Sequence, residues 1–144
     1  MKNCLTFTAA MLLFCNLALS QSYDLLTRAD SGDVFAKMML GDMFAAGEGV
    51  TQDYVEAAMW YRQAAKQGAA KAQLSLGLLY SQGQGVEQNV EIAYQWAYIA
   101  AAQGEKDAIE ARDLISGQLD AEARDRVQEL ATRCLESKYT QCEW

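Results

Sequence analysis

The chain has 144 residues, 51% of them hydrophobic, no proline and no histidine, and its 12 basic against 19 acidic side chains give a formal charge of −7. That length holds one small domain. A surface this negative repels nucleic acid and anionic lipid, and without histidine the commonest general base and zinc ligand is missing.

Residues 1–20 have the make-up of an export signal. Lys2 supplies a short positive end, Cys4 to Leu17 is almost wholly apolar, and Ala18-Leu19-Ser20 has the small-x-small pattern that signal peptidase cleaves. The apolar run is too short, and too abruptly followed by polar sequence, to make a comfortable membrane span. Phe14 before Cys15 is too bulky for lipid attachment. Cleavage after Ser20 is expected, giving a periplasmic or secreted chain from Gln21 with no membrane span. Losing Lys2 leaves 11 basic against 19 acidic residues, a charge of −8. Cys4 and Cys15 go with the signal, so the mature chain keeps only Cys134 and Cys142. An even pair in an oxidising compartment is expected to form a disulfide. A free redox pair fits less well, because the spacing is not C-x-x-C and no charge cluster stands by to stabilise a thiolate.

Ser22 to Ser31 is a short amphipathic segment with Leu25, Leu26 and Ala29 at helical spacing, closed by Gly32. Residues 21–32 are expected to be an N-terminal capping helix, standing where a preceding repeat would place its second helix. From Gly32 the sequence repeats. A shift of 36 residues superposes fourteen identical pairs in 37 positions, among them Leu40 on Leu76, Gly41 on Gly77, Gly47 on Gly83, Gly49 on Gly85, Trp60 on Trp96 and Gly68 on Gly104. Chance would supply about two or three. A period of this length, with one supersecondary unit per repeat, signals a stacked solenoid.

Repeat one is assigned to 33–68 and repeat two to 69–104. In the first, a helix from Asp33 to Ala46 carries Ala36, Leu40, Met43 and Phe44 on one stripe. Gly41 inside it is unfavourable by up to about 1 kcal/mol relative to alanine, which close helix contact would offset. Gly47 ends the helix in a left-handed conformation, Gly49 gives the turn a second permissive position, and Val50 turns back to the core. A second helix from Asp53 to Gln67 begins with an Asp53-x-x-Glu56 capping box and stops at Gly68. On it Ala57, Trp60, Tyr61, Ala64 and Ala65 form a stripe of small residues around one large ring, the indole that fills the gap between closely spaced helices. Repeat two has a helix from about Ala70 to Gln82, the Gly83-Gln84-Gly85-Val86 turn, and a helix from Asn89 to Gln103.

After Gly104 the pattern decays. Ala108 stays in register, but Arg112 and Asp113 stand where leucine and glycine stood before. Residues 105–144 are expected to cap the C-terminal end. One helix runs from Glu105 to Ser116, and a longer one from Asp120 to about Ser137 turns Ala123, Val127, Leu130, Ala131 and Leu135 inward, with Cys142 folded back onto Cys134.

The G-x-G-V-x-Q-[DN] turn, the A-x-x-W that follows, the AA-x-QG helix end and the A-x-x-x-LG opening resemble the Sel-one-like repeat (SLR) family, over Gly32 to Gly104. The resemblance implies a fold related to tetratricopeptide repeats: all-α, a short α/α solenoid of antiparallel helix pairs that binds proteins. Two full repeats are fewer than the three or more such stacks need, which puts weight on both caps and on the disulfide.

No catalytic, metal or cofactor set accompanies the repeats. Gly47-Glu48-Gly49 and Gly83-Gln84-Gly85 lack the continuation a phosphate loop requires. Glu122, Asp125 and Glu129 share a helix face with Arg124, Arg126 and Arg133 nearby, the pattern of a solvated charged surface. No serine is followed three residues later by lysine, and no Gly-x-Ser-x-Gly occurs. Some cysteine-rich relatives have been discussed as β-lactam-binding or β-lactam-hydrolysing proteins, but their repeats carry paired cysteines and these carry none. Trp60 and Trp96, one whole repeat apart, are core residues rather than a ligand-stacking pair.

The expected function is therefore an exported adaptor or scaffold that binds another protein in the cell envelope. A periplasmic immunity protein that neutralises a secreted toxin is the alternative the resemblance supplies. An enzyme acting on cell-wall material or a β-lactam is the alternative of a different class, and it lacks the residues such chemistry needs. The candidate partner surface is a second apolar stripe on the first helices. Val34, Phe35 and Met38 lie opposite Leu40 on a helical wheel, and Leu74 and Leu78 continue the stripe in repeat two. Either this stripe faces a groove and meets the partner, or neighbouring second helices cover it.

Overall fold

The computed structural model describes residues 23–140 and 142, so the expected signal segment 1–20 lies outside the described residues. Among the described residues every regular element is an α-helix. Residues 23–30 form α1, followed by α2 (Val34–Ala46), α3 (Tyr54–Ala65), α4 (Ala70–Gln82), α5 (Val90–Ala102), α6 (Lys106–Ser116) and α7 (Ala121–Glu136).

Local chemistry sets the ends of these helices. Asp33 caps α2 by accepting from the Phe35 and Ala36 amides, Asp53 caps α3 from Val55 and Glu56, Asn89 caps α5 from Ile92, and Asp120 caps α7 from Ala123. The capping box at Asp53 is only half formed. The Asp53 N–H donates to the Phe44 carbonyl at 2.9 Å instead of to Glu56, and Asn89 N–H does the same to Tyr80 at 3.0 Å. These bonds tie each second helix to the end of the first. The recurring glutamine of the turn completes the tie: Gln52 Nε2 donates to the Ala45 carbonyl at 2.7 Å and Gln88 Nε2 to the Ser81 carbonyl at 2.8 Å. Carbonyls orphaned at the helix ends are thereby satisfied by the turn that follows.

Within each repeat the two helices pack antiparallel, α2 on α3 and α4 on α5. Gly41 lies against the ring of Tyr61, and a methyl group on Gly77 would sit 3.1 Å from the Ala93 carbonyl and 3.2 Å from Trp96 Cβ. Both glycines thus mark the closest approach of a helix pair. The core follows the alanine and tryptophan stripes: Ala57, Tyr61, Ala64, Ala65, Ala72, Leu76, Trp96 and Ile99 are buried in one cluster, and Trp60 with Ala29, Ala36 and Leu40 in another that joins α1 to repeat one.

The C-terminal helices depart from the stacking rule. Helix α6 packs beside α5 and α4, but α7 lies along α5 and makes little contact with α6. Arg126 bonds Glu91 at 2.8 Å, Gln128 bonds the Tyr94 hydroxyl at 2.7 Å, and Val127 is buried with Ala93, Tyr94, Ala97 and Ile115. Farther along, Ala131 and Cys134 enter the cluster built by α3, α4 and α5. The tail then reaches repeat one, where Tyr139 covers Gly68 so closely that a Cβ there would lie 2.8 Å from its ring. The reason is in α6. Where α2 and α4 offer leucine and glycine to a second helix, α6 offers Arg112 and Asp113, which bond each other at 2.7 Å. A helix placed there would bury charge, so α7 takes the apolar surface of α5 instead.

Cys134 and Cys142 are joined, with Cα atoms 4.6 Å apart, within the range a disulfide accepts.

Candidate functional site

The first helices α2 and α4 leave a groove between them. It consists of two depressions that share Asp42 and Ser75. One, of about 440 Å³, is bordered by Ala45, Ala46, Tyr61 and Leu78, and the other, of about 300 Å³, by Met38, Lys71, Leu74 and the acids Glu105 and Asp107. The residues singled out from the sequence divide accordingly. Met38 and Leu74 face each other across the second depression, and Leu78 lines the first and is 39% exposed. Val34 is half-buried against the core cluster. Phe35 is exposed and borders neither depression. Met38 and Leu74 are themselves half-buried, Met38 against the main core and Leu74 against Ala100, Ala101 and Ala108. The stripe is thus part core and part groove wall.

An apolar reading of the first helix overlooks Asp42. Its carboxylate accepts a hydrogen bond from the Tyr61 hydroxyl at 2.7 Å, and Tyr61 rises from α3 through the gap left by Gly41. Burial, reinforced by the bond to Asp42, pushes the Tyr61 phenol well above its ordinary range, so it stays a neutral donor. The sequence signal for this pair was Tyr61 itself, a hydroxyl-bearing ring inside a stripe that otherwise asks for apolar side chains. Asp42 remains exposed at the centre of the groove.

The repeat tryptophans are structural. Trp96 is 1% exposed and Trp60 9%, and Trp60 Nε1 is buried with no acceptor among the described residues. A third depression, of about 490 Å³, opens over the turn before α5, where Arg62 already donates to the Tyr80 hydroxyl at 2.7 Å. Among the described residues, no three His, Cys, Asp or Glu side chains gather in an arrangement that would hold a metal ion.

The Sel1 repeat family model matches residues 34–68 and 70–105. The crystal structure of a Sel1 repeat protein from Oxalobacter formigenes is 30% identical, with 74% of this chain and 96% of that one covered at a TM-score of 0.52. The chain belongs to the Sel1 repeat family. A second Sel1-like neighbour is a protective antigen present in uropathogenic Escherichia coli strains and displaying an SLR fold, 31% identical over 82% of this chain at a TM-score of 0.75. This chain spans about a quarter (25%) of the length of that antigen. No curated protein matches the sequence. Membership makes the molecule a short all-α solenoid, and the Sel1 fold supports a role in protein–protein interaction, as an adaptor with protein partners.

Proposed function

We propose that this Sel1-repeat chain is an exported adaptor that holds a partner protein of the cell envelope in the groove between α2 and α4. The observation that carries the reading is the asymmetry of coverage. Helix α7 and its tail cover α5 and the end of α3, while the facing walls of α2 and α4 keep Leu78 and Asp42 exposed. In such stacks the first helices line the inner surface used for binding. The layout would be an export signal at 1–20, an N-terminal cap at 21–32, two repeats at 33–68 and 69–104, and a cap at 105–144. Export is supported by the signal-like first twenty residues and by the Cys134–Cys142 pair, which suits an oxidising compartment. No helix among the described residues is long and apolar enough to cross a membrane.

The test is affinity capture from envelope extract with the native chain and with Leu78→Glu, a substitution at an exposed position that should leave the helical circular dichroism unchanged. The native chain is expected to retain a specific protein that the variant loses, and the intact mass of exported material is expected to begin at Gln21. Capture of a secreted toxin would assign the immunity role. Equal capture by the variant would remove the groove from the account, and a chain that keeps Lys2 would remove export.

A further inference from the structure

The groove is long rather than round. Met38 to Ala46 on one wall and Lys71 to Gln82 on the other span about 12 and 16 Å of helix axis at 1.5 Å per residue. Asp42 and Ser75 stand at its middle, with Met38 and Leu74 to one side and Leu78 and Ala45 to the other. The bond from buried Tyr61 holds the Asp42 carboxylate in place from below. Three acids, Asp42, Glu105 and Asp107, line the groove against one base, Lys71.

Resting on the adaptor reading above, we infer that the groove takes an extended segment of the partner in which a lysine or arginine is flanked, two residues away on each side, by apolar side chains. In an extended chain residues i, i+2 and i+4 point the same way and span about 13 Å, which matches the length of the groove. The central cation meets Asp42, one apolar neighbour reaches Met38 and Leu74, and the other reaches Leu78 and Ala45. An anionic segment would be repelled by the acids along the groove. The negative charge of the whole chain steers a basic segment toward it.

The probes are three fluorescein-labelled peptides: Gly-Ser-Leu-Ser-Lys-Ser-Leu-Ser-Gly, the same peptide with glutamate for lysine, and the same peptide with glycine for both leucines. Anisotropy titrations of the purified chain at low salt are expected to give saturable binding of the lysine peptide in the millimolar range. Its affinity should exceed that of the glutamate peptide by about tenfold, as charge complementarity at a half-exposed site allows, and that of the glycine peptide by a smaller factor. Asp42→Asn keeps an acceptor for Tyr61 and should weaken the lysine-over-glutamate preference, leaving only what Glu105 and Asp107 supply, without moving the melting temperature. No saturable binding of the lysine peptide, equal affinity for the glutamate peptide, or a preference undiminished by Asp42→Asn overturns the inference. So does self-association abolished by Leu78→Glu, which would give the groove to a second copy of the chain. If Leu78→Glu abolishes envelope capture while the peptides show no charge preference, the adaptor reading stands and the chemistry assigned to its partner falls.

Discussion

Two glycines at the same place in consecutive repeats offer a measurement of what holds the repeats together. Gly49 and Gly85 both adopt left-handed backbone, with φ of 75° and 68°, so alanine at either position is unfavourable by about 1–2 kcal/mol for conformation alone. Their surroundings differ. A Cβ on Gly85 would collide with the Tyr54 carbonyl and lie 2.6 Å from the Val55 amide, at the start of α3, whereas the nearest atom to a Cβ on Gly49 is Met43 Cε at 3.9 Å. Backbone cannot move aside as a side chain can, and overpacking adds about 1–3 kcal/mol. Gly85→Ala should therefore be destabilising by about 2–5 kcal/mol and Gly49→Ala by about 1–2. At about 4 °C per kcal/mol for a domain of this size, the melting temperatures followed by far-UV circular dichroism should fall by about 8–20 °C and about 4–8 °C. Equal shifts in the two variants would refute the claim that the turn of repeat two is locked onto repeat one.

Closing the loop between Cys134 and Cys142, eight positions apart, should stabilise the chain by about 2–3 kcal/mol; alkylation without reductant should find no free thiols, and two per molecule would disprove the bridge. Trp96→Ala and Trp60→Ala should each be destabilising by about 3–5 kcal/mol in urea titrations, with a shift of under about 2 °C showing the ring to be exposed. Trp60→Phe should be much milder, because it also removes a buried N–H that has no acceptor. The Arg28 guanidinium, bonded to Asp33 at 2.6 Å, and the Ala36 and Phe35 amides hold the Asp33 carboxyl below its ordinary range. Its charge therefore stabilises the fold above the ordinary carboxylate range and ceases to as pH falls through the depressed value. Asp33→Asn should melt below the parent at neutral pH, and the two curves should converge in acid; a gap that persists there would assign the effect to packing.

What the sequence revealed and what it hid follow from the range of the interactions involved. Gly41 and Gly77 were legible as close contacts because an internal helix glycine that recurs with the period needs a reason, and Tyr61 and Trp96 supply it. The burial of Trp60 and Trp96 was legible for the same reason. Helix α7 was legible as a helix but not in its position. Arg112 and Asp113 announced that no further pair would form, yet the surface α7 adopts depends on Val127 and Gln128 meeting Tyr94, and on Tyr139 meeting Gly68, across long stretches of chain, and no period encodes that. In the groove, an apolar stripe pointed to Met38, Leu74 and Leu78. Asp42 escaped notice because its role comes from a tyrosine 19 residues away on another helix.

The course of α7 changes how the molecule comes apart. In a plain stack each repeat touches only its neighbours, so the ends can fray while the middle stays folded. Here residues 121–136 lean on α5, and Tyr139 sits on Gly68, so the last part of the chain is fastened to the first repeat. Neither repeat can open without stripping contacts from the other. A molecule that looks one-dimensional in sequence thereby acquires the all-or-none unfolding of an ordinary globular domain, and amide exchange in α3 and α7 should share a single opening free energy.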